Sequence, residues 1–209
     1  MDKNRLEALS DGVFAVAITL LVLDIRLPSG VAYGDLGGAL LQLAPKILSY
    51  LLSFIVVGIY WGFHHAAFAR LRRIDGAVVF LNLLLLLLVT FMPFPTILMG
   101  EYPFTTIPLA IYGGCLIAAN FIGFLSVLHL HWRPDLLLPE FAGDFLRSQW
   151  PIYLIVNAVY VAGIALAFYS PALSYAVFFT VLAGVGFNIC REISRAGIRA
   201  QPNDAGVIN

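Results

Sequence analysis

Long apolar runs separated by short polar stretches dominate the chain. A helix needs roughly 20 mostly apolar residues to cross a bilayer. Six stretches reach that scale, at about 8–27, 45–69, 76–99, 104–130, 149–169 and 171–190. The first is closed by Pro28-Ser29-Gly30 and the second by Arg70-Leu71-Arg72-Arg73. A Gly-rich segment, Tyr33 to Gly38, joins the first two. His131 to Arg147 joins the fourth and fifth and carries Arg133, Asp135, Glu140 and Asp144. Phe141 and Trp150 are placed to rest at the membrane interface. The pattern predicts an all-α integral membrane protein with six transmembrane helices, a single membrane domain over 1–199 and a disordered tail, QPNDAGVIN, after it.

Composition agrees with lipid as the solvent. Of the 209 residues, 61% are hydrophobic and 11% charged, whereas a soluble domain carries about 25% charge. The net charge is zero, so no basic face suggests nucleic acid. Cys115 and Cys190 lie in apolar segments, without the spacing of a disulfide framework or a metal site. The first apolar stretch has no small-residue cleavage site and begins among acidic as well as basic residues. It is expected to stay in the mature protein.

The basic residues orient the spans. With six crossings, one side holds Lys3, Arg5, Arg70, Arg72, Arg73, Arg133, Arg147, Arg191, Arg195 and Arg199, and the other only Arg26 and Lys46. This bias places both termini in the cytoplasm, with the plasma membrane as the expected location.

The first helix is two-faced. At about 100° per residue, Gly12, Val16, Thr19, Leu20 and Leu23 share one arc, an apolar stripe with a single hydroxyl. Ser10 and Asp11 fall behind it. A buried Asp11 needs a partner. Arg5, His64 and His65 on the second span and Asn82 on the third lie at matching depth, in the cytoplasmic half. A hydrogen-bonded cluster of these groups would fix how the first helix is rotated.

These residues carry a family resemblance. Arg5-x-x-x-Leu9-Ser10-Asp11-Gly12 resembles the R-x-x-x-F-S-D-G signature of the transmembrane protein 175 family of potassium channels, with Leu9 standing where the signature has phenylalanine. Tyr60 to Phe68, YWGFHHAAF, is similar to its second-helix W-x-x-H-H segment, and Asn82 to Thr96 to its third helix. Beyond Pro108 the likeness rests mainly on the number of spans. The resemblance implies a homotetramer, as in prokaryotic members with one six-helix set per chain, whereas animal members carry two sets and dimerise. It implies that the first helix lines a central pore, with Val16, Thr19, Leu20 and Leu23 on the ion path. The signature's Arg5, Ser10 and Asp11 would then sit behind that helix in a polar network.

Stacked rings of Val16, Leu20 and Leu23 would regulate passage by size and wetting, and a Thr19 ring would compensate part of an ion's dehydration. Potassium is then the permeant ion; no cofactor is expected, and the partners are other copies of the chain and lipid. GVGFN, Gly184 to Asn188, is superficially like the T-V-G-Y-G filter. It lies inside the last span and reads better as small residues permitting close helix contact. His64 with His65, and His129 with His131, have no i, i+4 ligand spacing, so no metal site is expected. The competing reading is a proton-coupled secondary transporter using Asp11 with His64 or His65. No nucleophile–base set supports an enzyme.

Overall fold

The computed structural model describes residues 2–141, 145–180 and 184. The second half of the sixth apolar stretch, GVGFN beyond Gly184, Cys190, the basic residues after it and the tail 200–209 lie outside the described residues.

The chain is all-helical among those residues. Helix α1 spans Lys3–Leu20 and tightens into a 3-10 turn at Leu21–Asp24. A short α2 (Leu36–Gln42) leads into α3 (Ala44–Ala69), then α4 (Gly76–Phe91), α5 (Pro93–Glu101), α6 (Thr106–Trp132) and α7 (Phe145–Ala167). A further helix, α8, covers Pro171–Thr180. Five segments are long and apolar enough to cross a membrane: Lys3–Asp24, Ala44–Ala69, Gly76–Glu101, Thr106–Trp132 and Trp150–Ala167. The protein is a multi-pass membrane protein.

Local chemistry sets the helix limits. Asp2 caps α1, accepting from the Asn4 N–H, and Asp75 caps α4, accepting from the Val78 N–H at 2.9 Å. The third apolar stretch divides into α4 and α5 because Pro93 and Pro95 have no N–H to give to the preceding turn. Met92 keeps helical dihedrals at the break, and Thr96 closes it by donating its hydroxyl to the Met92 carbonyl at 2.8 Å. Helices α4 and α5 together form one candidate span, Gly76–Glu101.

Two apolar clusters hold the bundle. The larger joins Phe14, Ala17 and Leu21 of α1 to Leu52, Val56, Leu86, Met99, Tyr112 and Phe178. The smaller gathers Leu6, Phe68, Leu71, Val127, Leu130, Leu136 and Leu137 at the end of the bundle where α3 and α6 finish. Helices α6 and α7 pack closely because glycine permits it: a Cβ on Gly113 would lie 2.7 Å from Ile164 Cγ1, and one on Gly123 2.8 Å from Tyr153 Cε1.

The two loops at the basic side are stitched together. Leu71 and Leu137 form an isolated bridge, and the Leu138 N–H donates to the Arg70 carbonyl at 3.0 Å. Asp135 pairs with Arg73 and with Arg133, and Asp75 receives His129 at 2.9 Å. Paired chiefly with Arg133 and then Arg73, the Asp135 carboxyl is held down at about 2. For Asp75, burial pushes upward, but bonds from the Val78 N–H and His129 outweigh it and the carboxyl sits below its ordinary value.

Candidate functional site

Helix α1 buries Leu6, Ser10, Phe14 and Ala17, and Leu21 of the following turn extends the same three- and four-residue spacing on one flank. The opposite flank is open. Val16 is 56% exposed, Leu20 45% and Leu23 54%, and Gly12 and Thr19 are exposed as well. Leu23 stays open although the helix has turned 3-10 by that point. The open face is wider than the stripe read from the sequence: Ala8, Asp11 and Ala15 are also exposed beside it.

Ser10, Asn82 and His64 form a fully buried relay joining α1, α4 and α3. The Asn82 Nδ2 donates to Ser10 Oγ at 3.0 Å, and Asn82 Oδ1 lies 2.8 Å from His64 Nε2. Ser10 spends its own proton on the Leu6 carbonyl at 2.9 Å. That assignment fixes the rest: Ser10 Oγ must accept, so the Asn82 carbonyl faces His64, and Nε2 must carry the ring proton. The imidazole is held between Phe14, at 5.6 Å between ring centroids, and Phe68, stacked at 4.3 Å.

Asp11 takes no part in this relay. Neighbours on a helix diverge by about 100°, so Ser10 and Asp11 face different elements. Asp11 Oδ1 accepts from Trp61 Nε1 at 2.8 Å. One turn away, Glu7 Oε1 lies 3.7 Å from His65 Nδ1, and His65 stacks on Trp61 at 5.9 Å. An i, i+4 pair on α1, Glu7 and Asp11, thus meets an i, i+4 pair on α3, Trp61 and His65. Arg5 is exposed and has no side-chain hydrogen bond or ion pair among the described residues. The six polar residues read from the sequence therefore separate into the Ser10–Asn82–His64 relay, an outer pairing that holds Asp11 and His65, and a solitary Arg5. Trp61 and Glu7 were missed. The available signal was that an indole N–H near a membrane boundary needs an acceptor, and Asp11 is the acceptor at matching depth.

The far end of α1 has its own fastening. Lys46, at the start of α3, lies 3.5 Å from Asp24 and 3.7 Å from Glu101. Gly100 makes room, since a Cβ there would come within 3.0 Å of Lys46 Cγ. Helix α1 is held at both ends and on one flank, with the apolar stripe left free. Among the described residues, no group of His, Cys, Asp or Glu is arranged to hold a metal.

Residues 5–93 match the family described as endosomal/lysosomal potassium channel TMEM175, a stretch that includes the relay and the open stripe. The chain is 35% identical over 191 residues to a potassium channel of Streptomyces collinus, covering 90% of this chain and 93% of that one. It is 40% identical over 101 residues to the human endosomal/lysosomal proton channel TMEM175, covering 44% of this chain and 20% of that protein. The crystal structure of a lysosomal potassium-selective channel TMEM175 homolog from Chamaesiphon minutus superimposes with a TM-score of 0.78 at 34% identity, over 90% of this chain and 97% of that one.

Proposed function

The chain belongs to the TMEM175 family of potassium channels, and from that premise we propose that it conducts potassium passively through a pore lined by α1 of four copies. The supporting observation is the arrangement of α1: polar contacts on one flank set its rotation, and an apolar stripe with one hydroxyl is left uncovered on the other. A lone helix cannot enclose a path, whereas four such stripes around a shared axis can.

In this reading Val16, Leu20 and Leu23 form stacked apolar rings. An apolar ring offers no oxygen to replace an ion's water, so it admits the ion that sheds water most cheaply and closes by drying. Potassium holds its shell less tightly than sodium and passes with the smaller loss. Thr19 sits between the rings. Its hydroxyl is 2.9 Å from the Val16 carbonyl and 3.1 Å from the Ala15 carbonyl of its own helix. With the proton engaged there, the oxygen keeps lone pairs for a passing cation. The resulting preference for potassium is modest beside that of a carbonyl-lined filter. Leu20 or Leu23 is the seal, opened by a small rotation or splaying of α1. In this reading the chain crosses the membrane six times and keeps both termini in the cytoplasm, as the bias of basic residues favours, with the plasma membrane as the site of action.

The transporter reading requires Asp11 and a histidine to exchange a proton. Asp11 bonds to Trp61, His64 to Asn82, and His65 lies beside Glu7, so among the described residues no hydrogen bond joins Asp11 to either histidine. Flux in liposomes tests the proposal. Potassium efflux that follows its gradient, persists with a protonophore present and increases in Leu20→Ala supports a channel. Flux that saturates and requires a proton gradient overturns it.

A further inference from the structure

The apolar stripe of α1 ends on a different kind of helix. From Leu21 to Asp24 the chain tightens into a 3-10 turn, closed by the Ile25 N–H donating to the Val22 carbonyl at 3.1 Å. Hydrogen bonds of 3-10 type have poorer geometry than those of an α-helix, so this turn is the weak link of the rod. Leu21 is buried and ties the turn to the core, whereas Leu23, the last residue of the stripe, is exposed. Asp24 follows it and carries the charge that reaches another element. Lys46 Nζ, at the start of α3, lies 3.5 Å from Asp24 Oδ2 and 3.7 Å from Glu101 Oε1 at the end of α5. A committed ammonium–carboxylate hydrogen bond closes to about 2.7–2.9 Å. The Lys46 ammonium therefore stands between two carboxylates and is committed to neither. Arg26, the other cation at this end, turns back on its own segment, with Nε donating to the Leu23 carbonyl at 2.8 Å. Two carboxylates thus compete for one ammonium, and one of them belongs to the turn that carries Leu23.

We propose that Lys46 is a positioning residue for the pore, a latch with two settings. Paired with Asp24, it holds the Leu21–Asp24 turn, and Leu23 with it, against α3. Drawn to Glu101, it releases that turn. The effect on flux rests on the proposed pore, whereas the latch belongs to a single chain. Neutralising Asp24 leaves Lys46 to Glu101 and loosens the turn. Neutralising Glu101 removes the rival acceptor, and with it the repulsion between two carboxylates around one cation, so the turn is held harder. A triad in which each charge merely supports the other two would loosen with either change. The opposed signs separate the two cases. All three side chains are part-exposed, so the effect is modest, about two- to fivefold in an equilibrium.

The test uses full-length protein in liposomes and hydrogen exchange at the Ile25 amide, corrected for intrinsic rate. Exchange should quicken about two- to fivefold in Asp24→Asn and in Lys46→Met, and slow by a similar factor in Glu101→Gln. Salt near 1 M should shrink these differences, because it screens ion pairs and leaves packing alone. Potassium flux from the same liposomes should shift in opposite directions in Asp24→Asn and Glu101→Gln. If Asp24→Asn fails to assemble, Glu101→Gln decides alone: slower exchange supports the latch, and faster or unchanged exchange overturns it. Exchange that moves the same way in both variants, or in neither, also overturns it. Opposed exchange with parental flux in both variants overturns the role of Lys46 in positioning the pore. A parent that carries no potassium flux would remove the pore and leave the exchange result standing, so the two readings fail separately.

Discussion

Asn82→Leu isolates the feature on which the orientation of α1 depends. Asn82 is 5% exposed and joins α1 to α3 through one amide, with contacts of 3.0 Å to Ser10 and 2.8 Å to His64. Losing both bonds removes about 0.6–1 kcal/mol each, the scale for neutral hydrogen bonds inside membrane proteins. The substitution also strands the His64 Nε2–H among Phe14 and Phe68, for about 1–3 kcal/mol more. The sum is about 2–5 kcal/mol. Ser10→Ala is milder, at about 1–2 kcal/mol, because Asn82 keeps its bond to His64 and loses only one acceptor. Unfolding equilibria in bicelles measure both variants, and liposome flux reports the freed rotation of α1 as a raised resting leak. The reasoning is refuted if Asn82→Leu lies within about 0.5 kcal/mol of the parent, the scale of a surface substitution. It is refuted equally if Ser10→Ala proves the costlier change.

Three further outcomes follow from the same contacts. Thr19→Val, which keeps the shape and removes the hydroxyl, should lower the potassium-over-sodium flux ratio while leaving assembly intact; an unchanged ratio removes Thr19 from the ion path. Gly113→Ala should destabilise by about 1–3 kcal/mol, because its methyl would enter the 2.7 Å space before Ile164, and thermal unfolding measures it. The stitching of the two basic loops should weaken in acid. Asp135 sits at about 2 against an ordinary 3.8, so its contribution is whole above about 3.8 and is lost as pH falls toward about 2; Asp75, also depressed, acts in the same direction. Hydrogen exchange at the Leu138 and Arg72 amides, corrected for intrinsic rate, should therefore accelerate over that window and stay flat above it.

Much of this architecture was legible in the sequence because bilayer thickness imposes a length on apolar runs. The first helix was legible in finer detail, since a 3.6-residue period separates the side carrying Leu6, Phe14 and Ala17 from the side carrying Val16 and Leu20. The polar partners were harder to read. Depth along the membrane placed Ser10, Asp11, His64, His65 and Asn82 together, but depth says nothing of azimuth, and azimuth sends Asp11 to Trp61 and His65 toward Glu7. The break at Met92 was signalled by Pro93 and Pro95, while its repair by the Thr96 hydroxyl depends on a rotamer that no pattern encodes. The outer fastening of Lys46 between Asp24 and Glu101 joins residues 22 and 55 positions from it and needed the tertiary fold to appear.

The central claim is that the uncovered stripe of α1 faces other copies around a shared axis. Val16→Cys tests it most directly, in native membranes, by oxidative crosslinking run beside labelling with a lipid-soluble photoactivated reagent. The expected result is a covalent dimer at Val16→Cys, a weaker one at Ala17→Cys on the buried flank, and protection of position 16 from the lipid-borne label. Strong labelling from the bilayer with no dimer would mean that the stripe meets acyl chains and that α1 lines no pore.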